Sequence, residues 1–271
     1  MDKELIKYCL SEMATKEQII DMLADLGCKP AKKTIKKDEA VKLALGCRGI
    51  NIEYITKFFR EKWKGTNKDS YLDTLKSGIL AGHDWHGAMP SSLHRVLQDH
   101  VRECAAGKYT IEKLLNIGVE IMKHEYFIVA QHDIIEASII EHFEDTIPPI
   151  ISKCITDFVF KGTPVDLKVT DYKEDWANRI KSNEPLTIDE KKRLIADNYK
   201  EADSNRKRKQ ANGSINNWGF NRMYVFIKDQ DEWFSNPEGI VNRVLAALDN
   251  TREPYKIDID GFKIEAFCIE A

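Results

Sequence analysis

The sequence predicts a mixed α/β fold in which helices fill the first half of the chain and short strands appear only in the second half. Apolar residues recur at helical spacing, between recognisable caps, up to about residue 145. After residue 152, short β-branched and aromatic runs alternate with turn residues and with two further helical stretches. We therefore expect a sheet with helices beside it, preceded by a helical N-terminal region.

The helical N-terminal region is predicted to span residues 1–65, and a larger domain is predicted at 66–271. Thr15 and Gln18 have the spacing of a capping box, and Gly27 closes the helix that they begin. These signals place the first well-defined helix boundary of the chain.

A lysine-rich connector leads from that helix to two more, expected at about 38–46 and 51–64. Its lysines are Lys29, Lys32, Lys33, Lys36 and Lys37. A helix, a basic loop and a second helix resemble SAP-type or helix-turn-helix DNA-binding modules. A solvated loop on a helical subdomain explains the same pattern, so both interpretations stay open.

Three helices are expected next, at about 91–105, 110–125 and 132–145. The last one carries four apolar residues on one side. Pro148 and Pro149 then prevent the helix from continuing.

A β-hairpin is predicted after these prolines. Residues 153–161 (KCITDFVFK) and 165–170 (VDLKVT) are rich in β-branched and aromatic side chains. Gly162, Thr163 and Pro164 lie between the two runs and are typical of a turn.

The remaining elements are predicted from start signals and turn residues. Thr187 and Glu190 mark the beginning of a helix, and Pro237 stands at the first position of another. In order, the elements are a helix at about 188–202, a strand at 223–228, a helix from Asn236 to about 249, and a terminal hairpin turning at Asp260-Gly261.

The composition is that of a soluble globular protein, with 42% hydrophobic and 31% charged residues. No run approaches the roughly 18 to 20 apolar residues of a membrane helix, and the N-terminus lacks the apolar centre of a signal peptide. The six cysteines form no Cys-x-x-Cys pair, which predicts reduced thiols in the cytoplasm and neither zinc ligands nor disulfides. With a net charge of −3, a nucleic-acid partner would have to bind local basic segments.

The predicted hairpin carries the clearest chemical signal. Asp166 and Lys168 project from one face of the second strand, and Leu167 points into the core. The turn brings Asp157 alongside them. Two carboxylates and an ammonium on an otherwise apolar hairpin are costly to bury unless a cation compensates them, and hard oxygen ligands suit Mg²⁺. A surface salt bridge on an amphipathic hairpin is the alternative.

The spacing D-x(8)-D-x-K across a hairpin resembles the signature of the PD-(D/E)XK nucleases, whose largest group is the type II restriction endonucleases. The resemblance covers about residues 132–230, where helix, hairpin, helix and strand follow the order of that family's αβββαβ core. One strand of that core is not apparent in the sequence, and Thr156 stands where the family has proline. The implied fold is a central mixed sheet flanked by helices.

The resemblance also implies roles for individual residues. Asp157, Asp166 and the Leu167 carbonyl would hold Mg²⁺ against a phosphodiester, and Lys168 would orient or deprotonate the attacking water. The family often adds a glutamate from the helix before the hairpin. Glu136 is preferred to Glu141 and Glu144 because it shares a helical side with apolar residues.

Two concentrations of positive charge are candidates for contact with DNA phosphates. The predicted DNA-binding residues are Lys32, Lys33, Lys36, Lys37, Arg206, Lys207, Arg208, Lys209, Asn216, Asn217 and Arg222. Asn and Arg side chains suit base-edge hydrogen bonds, although polar loops have the same composition for other reasons. Trp218 and Phe220 either stack on bases or pack the loop onto the core.

These features together predict a cytoplasmic, Mg²⁺-dependent deoxyribonuclease that cuts double-stranded DNA, most specifically a type II restriction enzyme. Cutting both strands of a symmetric site predicts a homodimer, and a restriction system predicts a cognate DNA methyltransferase. The alternatives are a structure-specific repair or recombination nuclease and a non-catalytic DNA-binding regulatory protein.

Overall fold

The computed structural model describes residues 2–28, 35–65, 72–73, 99–151, 154–170, 172, 176–181, 184–202, 215–229, 232–233, 236–259 and 262–271. Within these ranges the chain has an α/β fold in which helices flank a five-stranded mixed sheet. This confirms the predicted α/β class with a mixed sheet flanked by helices, whereas the PD-(D/E)XK core stays a prediction.

Four helices form the N-terminal region, which was expected to be helical; three of them were predicted individually, and α1 was not. Their bounds are α1 Asp2–Glu12, α2 Lys16–Asp25, α3 Lys37–Gly46 and α4 Ile52–Lys64. The predicted capping box is present: the Gln18 amide donates to Thr15 Oγ1 over 3.2 Å, and the Thr15 amide donates to Gln18 Oε1 over 2.7 Å. Gly27 follows α2 with a φ of 71°, the left-handed conformation that suits a helix C-terminus.

Helix α5 extends without interruption over Ile111–His142, 32 residues in all. The prediction of separate helices at 110–125 and 132–145 was wrong, because the apolar stretch between them contains no glycine or proline to end a helix. The helix ends where Arg60 Nη1 donates to the carbonyls of Ile140, Phe143 and Thr146. Neither α5 nor any other helix in the described ranges has the length and apolarity needed to cross a membrane.

The strands follow α5. Their bounds are β1 Phe158–Phe160, β2 Thr163–Thr170, β3 Arg222–Phe226, β4 Tyr255–Ile259 and β5 Phe262–Glu270. The spatial order is β1-β2-β3-β5-β4. The pairs β1–β2 and β4–β5 are antiparallel, whereas β2–β3 and β3–β5 are parallel. Both predicted pairs of antiparallel strands are present. Thr163 and Pro164, predicted as turn residues, belong to β2 instead, and the predicted turn at Asp260-Gly261 lies outside the described residues.

The turn between β1 and β2 is a tight one. Phe160 pairs with Thr163, so Lys161 and Gly162 alone form the loop. Their φ angles are 47° and 78°. Positive φ at both central residues gives the turn a twist that matches the strands, and it fixes the register that brings Asp157 beside β2.

The remaining helices lie in the segments that connect β2 to β3 and β3 to β4. Their bounds are α6 Ala177–Lys181, α7 Ile188–Ala202 and α8 Pro237–Asn250, and a 3-10 helix at Ile215–Phe220 leads into β3. The predicted helices at 188–202 and from Asn236 are confirmed. No strand occurs among the described residues between β2 and β3, so the additional strand of the αβββαβ order is not found there.

The central strand β3 is buried on both faces. Met223 and Val225 belong to one apolar cluster with α1–α5 and α8, whereas Tyr224 and Phe226 belong to a second cluster with α7. Successive side chains of a strand point to opposite faces, so β3 contributes to both layers of core. The sheet is thus the middle layer between two layers of helices.

The N-terminal helices share their core with the sheet. The Tyr8 hydroxyl lies 3.0 Å from Thr156 Oγ1, directly before Asp157. The Gln18 side-chain amide donates to the Ile150 carbonyl over 2.8 Å, and the Ile150 amide donates to the Met13 carbonyl over 3.0 Å. No separate core marks the predicted boundary at residue 65 within the described ranges.

The cysteine prediction was partly wrong. Cys28 and Cys47 form a disulfide whose Cα atoms are 6.3 Å apart, and it links the residues that follow α2 and α3. These residues are 19 positions apart, and only the folded helices bring them together. Cys9 and Cys268 are free and buried, as expected for structural thiols.

Candidate active site

The site is assembled from four elements, α5 and the first three strands. The last third of α5 lies against β2 and presents His132 and Glu136 one helical turn apart. Asp157 immediately precedes β1, and β2 carries Asp166. Register pairing places Arg222, the first residue of β3, opposite Asp166.

The hairpin half of the site has the arrangement predicted from the sequence. The Leu167 amide donates to Asp157 Oδ2 over 2.6 Å, which fixes that carboxylate against the second strand. Lys168 Nζ donates to Asp166 Oδ1 over 2.7 Å, so these two side chains do share a face. Leu167 itself is fully buried in the core.

Asp166 is paired with two cations. Besides Lys168, Arg222 Nε lies 3.3 Å from Asp166 Oδ2. Burial raises the pKa of Asp166, and the charges of Arg222 and Lys168 oppose that rise. The Asp166 side chain is only 10% exposed, which explains why it needs close compensation.

The assignment of Arg222 to DNA binding is corrected by the structure. Its side chain is completely buried, and Nη1 donates to the carbonyls of Gly219 and Asn221 over 2.9 Å each. The polar residues before it suggested a surface loop, but Arg222 begins the central strand, which is covered on both faces. Arg222 is therefore a buried partner of Asp166.

The helical half of the site brings a histidine to the carboxylates. His132, Glu136 and Asp157 each offer one metal-ligating atom, and these three atoms lie within 4.8 Å of one another. His132 Nε2 is 3.6 Å from Asp157 Oδ2, and His132 Nδ1 is 3.8 Å from Glu136 Oε2. Their side chains are between 16% and 28% exposed, so the cluster is partly shielded and still accessible.

The carboxylates of this cluster favour the protonated form of His132. Burial lowers the pKa of His132, but hydrogen bonds to Asp133 and Asp157 and the charges of Asp157 and Glu136 outweigh it and raise the pKa to about 10. Burial raises the pKa of Asp157, yet His132, the Leu167 amide and Lys168 together bring it below its usual value. Imidazolium thus neutralises part of the negative charge.

The donor set also fits a divalent metal ion. An imidazole nitrogen and two carboxylate oxygens are common ligands, and the three atoms are close enough for one ion to bridge them. Glu136 is part of the cluster, whereas Glu141 and Glu144 are exposed. Asp166, predicted as a ligand, is not one of the clustered atoms in the described ranges and pairs with Lys168 and Arg222 instead.

The predicted DNA-contacting residues are only partly described. Lys36 is exposed at the start of α3, while Lys37 Nζ donates to the Ser11 carbonyl and so ties α3 to α1. Trp218 packs edge-on against Tyr8, with 5.2 Å between ring centroids, and Phe220 is buried. Lys32, Lys33, Arg206, Lys207, Arg208, Lys209 and the side chains of Asn216 and Asn217 lie outside the described residues.

His132 is the functional candidate that the sequence analysis missed. The available signal was its position four residues before Glu136, because residues at that spacing lie on the same helix face. A histidine at the edge of an apolar helix is common, and only its approach to Asp157 marks it as part of the site.

Comparison with known proteins found no relative of this chain. No protein-family model, no curated protein and no solved structure matches the chain. The functional interpretation therefore depends on the geometry of the site and on the sequence pattern that it contains.

Proposed function

We propose that this chain is a divalent-cation-dependent endodeoxyribonuclease with the PD-(D/E)XK arrangement of residues. The observation that carries the proposal is that Glu136 of α5 lies in one cluster with Asp157. The hydrogen bond from the Leu167 amide fixes Asp157 to the strand that carries the Asp166–Lys168 pair. A surface salt bridge would not require a second carboxylate and a glutamate from α5 beside it. Double-stranded DNA is the proposed substrate.

The residues divide into a cation-holding set and a substrate-facing lysine. Glu136, Asp157 and His132 would hold the divalent ion, for which Mg²⁺ is the expectation from the sequence. When bound, such an ion polarises the phosphoryl group and lowers the pKa of water. Asp166 would act through Lys168, whose ammonium group it fixes at 2.7 Å.

Lys168 would assist hydrolysis directly. Its side chain is 31% exposed, so the ammonium group remains within reach of a substrate while Asp166 limits its motion. An ammonium group in that position orients the attacking water and offsets the charge that develops on the phosphate. Arg222 neutralises the other oxygen of Asp166 from inside the core.

Within this reaction class we propose a type II restriction enzyme that acts as a homodimer, with a cognate DNA methyltransferase as its partner in the cell. Exposed cations such as Lys36 would contact phosphates. A repair or recombination nuclease that recognises DNA structure is the alternative in the same class, and a DNA-binding regulatory protein is the alternative without catalysis.

The test is a digestion assay on unmethylated phage DNA with Mg²⁺, with Mn²⁺ and with a chelator. We expect discrete fragments with a divalent ion and none with the chelator. Lys168→Ala should lower the cleavage rate by roughly 10²-fold or more, because it removes a charge needed in the transition state, while DNA binding in a gel-shift assay is retained. Lys192→Ala, an exposed lysine on α7, is the matched control and should cut normally.

Three other outcomes separate the alternatives. Cleavage of branched or flapped DNA alone would identify a structure-specific nuclease. A gel shift that is independent of divalent ions, without any cleavage, would identify a binding protein. Full activity of the Lys168→Ala variant would contradict the proposed site.

A further inference from the structure

We propose that His132 is a direct metal ligand of this chain and that its nitrogen gives the site a preference for a first-row transition ion such as Mn²⁺ over Mg²⁺. The inference deepens the proposed nuclease function and rests on it for the role of the ion. It differs from the arrangement expected from the sequence, in which Asp157, Asp166 and the Leu167 carbonyl provide only oxygen ligands.

The first support is the position of the ligating atoms. His132 and Glu136 lie at i and i+4 on α5, and Asp157 reaches the same place from the hairpin. A rigid helix and a strand paired in a tight hairpin fix the two parts of the cluster. Sites built on such elements hold ligand geometry more precisely than loops do.

The second support is an oriented imidazole ring. His132 Nδ1 lies 3.1 Å from Asp133 Oδ1 and makes a hydrogen bond to it. Metal binding displaces the proton from His132 Nε2, the nitrogen that is 3.6 Å from Asp157 Oδ2. The neutral imidazole that remains donates from Nδ1 to Asp133 and offers the Nε2 lone pair to the ion. A carboxylate behind a metal-binding histidine is the usual way in which proteins select the tautomer and orient the ring.

The third support is the distribution of charge between the two halves of the site. Asp166 already has Lys168 at 2.7 Å and Arg222 at 3.3 Å. Glu136 and Asp157 have the titratable His132 between them. A dication that replaces the His132 proton is held by two carboxylates and a neutral imidazole, so the charge of the ligands balances the charge of the ion.

The ion preference follows from the ligand type. Mg²⁺ prefers oxygen ligands and retains water, whereas imidazole binds transition ions more strongly. One nitrogen among three protein ligands therefore increases the affinity for Mn²⁺ more than the affinity for Mg²⁺. Replacing His132 should reduce this difference.

Binding of Mn²⁺ to the metal-free full-length chain tests the inference without measuring activity. Titration followed by electron paramagnetic resonance gives the affinity, and competition with Mg²⁺ gives the preference. Pulsed measurements on the bound Mn²⁺ detect coupling to a ¹⁴N nucleus. We expect Mn²⁺ to bind roughly tenfold or more tightly than Mg²⁺, with a clear ¹⁴N signal.

Three variants make the test specific. His132→Gln should lose the ¹⁴N signal and bind Mn²⁺ at least roughly tenfold more weakly, and Asp133→Asn should weaken binding by roughly 10- to 100-fold through loss of orientation. His142→Gln is the matched control, because His142 is an exposed histidine of the same helix that pairs with Asp249. It should leave both measurements unchanged. Circular dichroism establishes that each variant is folded, and Asp133→Asn serves if His132→Gln is not.

The inference is overturned if wild-type protein binds no Mn²⁺, if bound Mn²⁺ shows no ¹⁴N coupling, or if His132→Gln retains wild-type affinity and signal. Its failure is distinguishable from that of the proposed function. Protein that shows nitrogen ligation but never cuts DNA would support the metal site and contradict the nuclease. Protein that cuts DNA with Mg²⁺ equally well with and without His132 would support the nuclease and contradict His132 as a metal ligand.

Discussion

Asp166 is a nearly buried carboxylate whose two oxygens face different cations. Lys168 approaches Oδ1 from the accessible side, and the fully buried Arg222 approaches Oδ2 from the core. Such a charge is tolerated only while its partners are in place, because removing one leaves the carboxylate without compensation. The pairing explains how a charged residue occupies a strand that is otherwise apolar.

Arg222→Leu is expected to lower the free energy of unfolding by about 3–5 kcal/mol, because Asp166 would lose its buried partner. The matched control is Arg243→Leu, which removes an exposed pair with Glu232 and should cost no more than about 1 kcal/mol. Urea unfolding of both variants measures the difference. A variant Arg222→Leu with wild-type stability and weakened DNA binding would instead place Arg222 on the DNA surface.

Site residues whose partners are close in the sequence could be predicted, whereas those whose partners are distant could not. Asp157, Asp166 and Lys168 belong to one hairpin, and strand alternation with turn residues was sufficient to place them. His132 and Arg222 acquire their roles through partners 25 and 56 positions away, Asp157 and Asp166 respectively. Helix and strand periodicity relates only residues a few positions apart, so it cannot predict partners at these sequence separations.

Among the elements, α7 begins with a capping box whose glutamate also pairs with an arginine of α6. The Glu190 amide donates to Thr187 Oγ1 over 3.3 Å, and the Thr187 amide donates to Glu190 Oε2 over 2.8 Å, which completes the predicted capping box. Arg179 in α6 donates to Glu190 Oε1 over 2.6 Å. The same carboxylate therefore caps α7 and joins it to α6.

Stability should depend on the ionisation of Glu190. The hydrogen bond from Arg179, together with those from Thr187, lowers the pKa of Glu190 from 4.5 to about 2. Because the folded-state pKa is lower, the contribution is complete above pH 4.5 and is lost as the pH falls through about 2. The difference in unfolding free energy between wild type and Glu190→Gln should therefore shrink as the pH falls from about 5 to about 2.

Urea unfolding across that pH range tests the expectation. Arg179→Leu should remove most of the same pH dependence, because it deletes the principal partner of Glu190. Arg193→Leu removes a more exposed pair with Asp197 and a cation–π contact with Trp176. Neither contact involves Glu190, so this variant should retain the pH dependence. A constant difference between wild type and Glu190→Gln at every pH would show that ionisation of Glu190 does not stabilise α6 and α7.

At the scale of the whole molecule, the N-terminal helices complete the core on which the site is built. Tyr8 of α1 is buried, and its hydroxyl lies 3.0 Å from Thr156, the residue before Asp157. Arg60 of α4 donates to three carbonyls at the end of α5, ten or fewer residues after Glu136. Both halves of the site are thus supported by residues 1–65.

A chain that begins at residue 66 should consequently fail to form the native core. We expect it to lose near-ultraviolet circular dichroism and to bind a hydrophobic dye, because one face of the α5 and sheet cluster would be exposed. The control is Tyr8→Phe in the full-length chain, which removes only the hydrogen bond to Thr156. It should unfold cooperatively with a loss of about 0.5–1.5 kcal/mol. A shortened chain with native spectra and cooperative unfolding would establish residues 66–271 as an independent domain.

Elements whose signals are local could be predicted from the order of the residues alone. The capping boxes of α2 and α7, the two hairpins, the buried strand β3 and the shared face of Asp166 and Lys168 all follow from spacing and turn chemistry. Tertiary structure decided the rest: the single helix α5, the Cys28–Cys47 disulfide, the burial of Arg222 and the approach of His132 to Asp157. The physical reason is that backbone periodicity relates residues within an element, whereas packing and strand register relate residues that are distant along the chain.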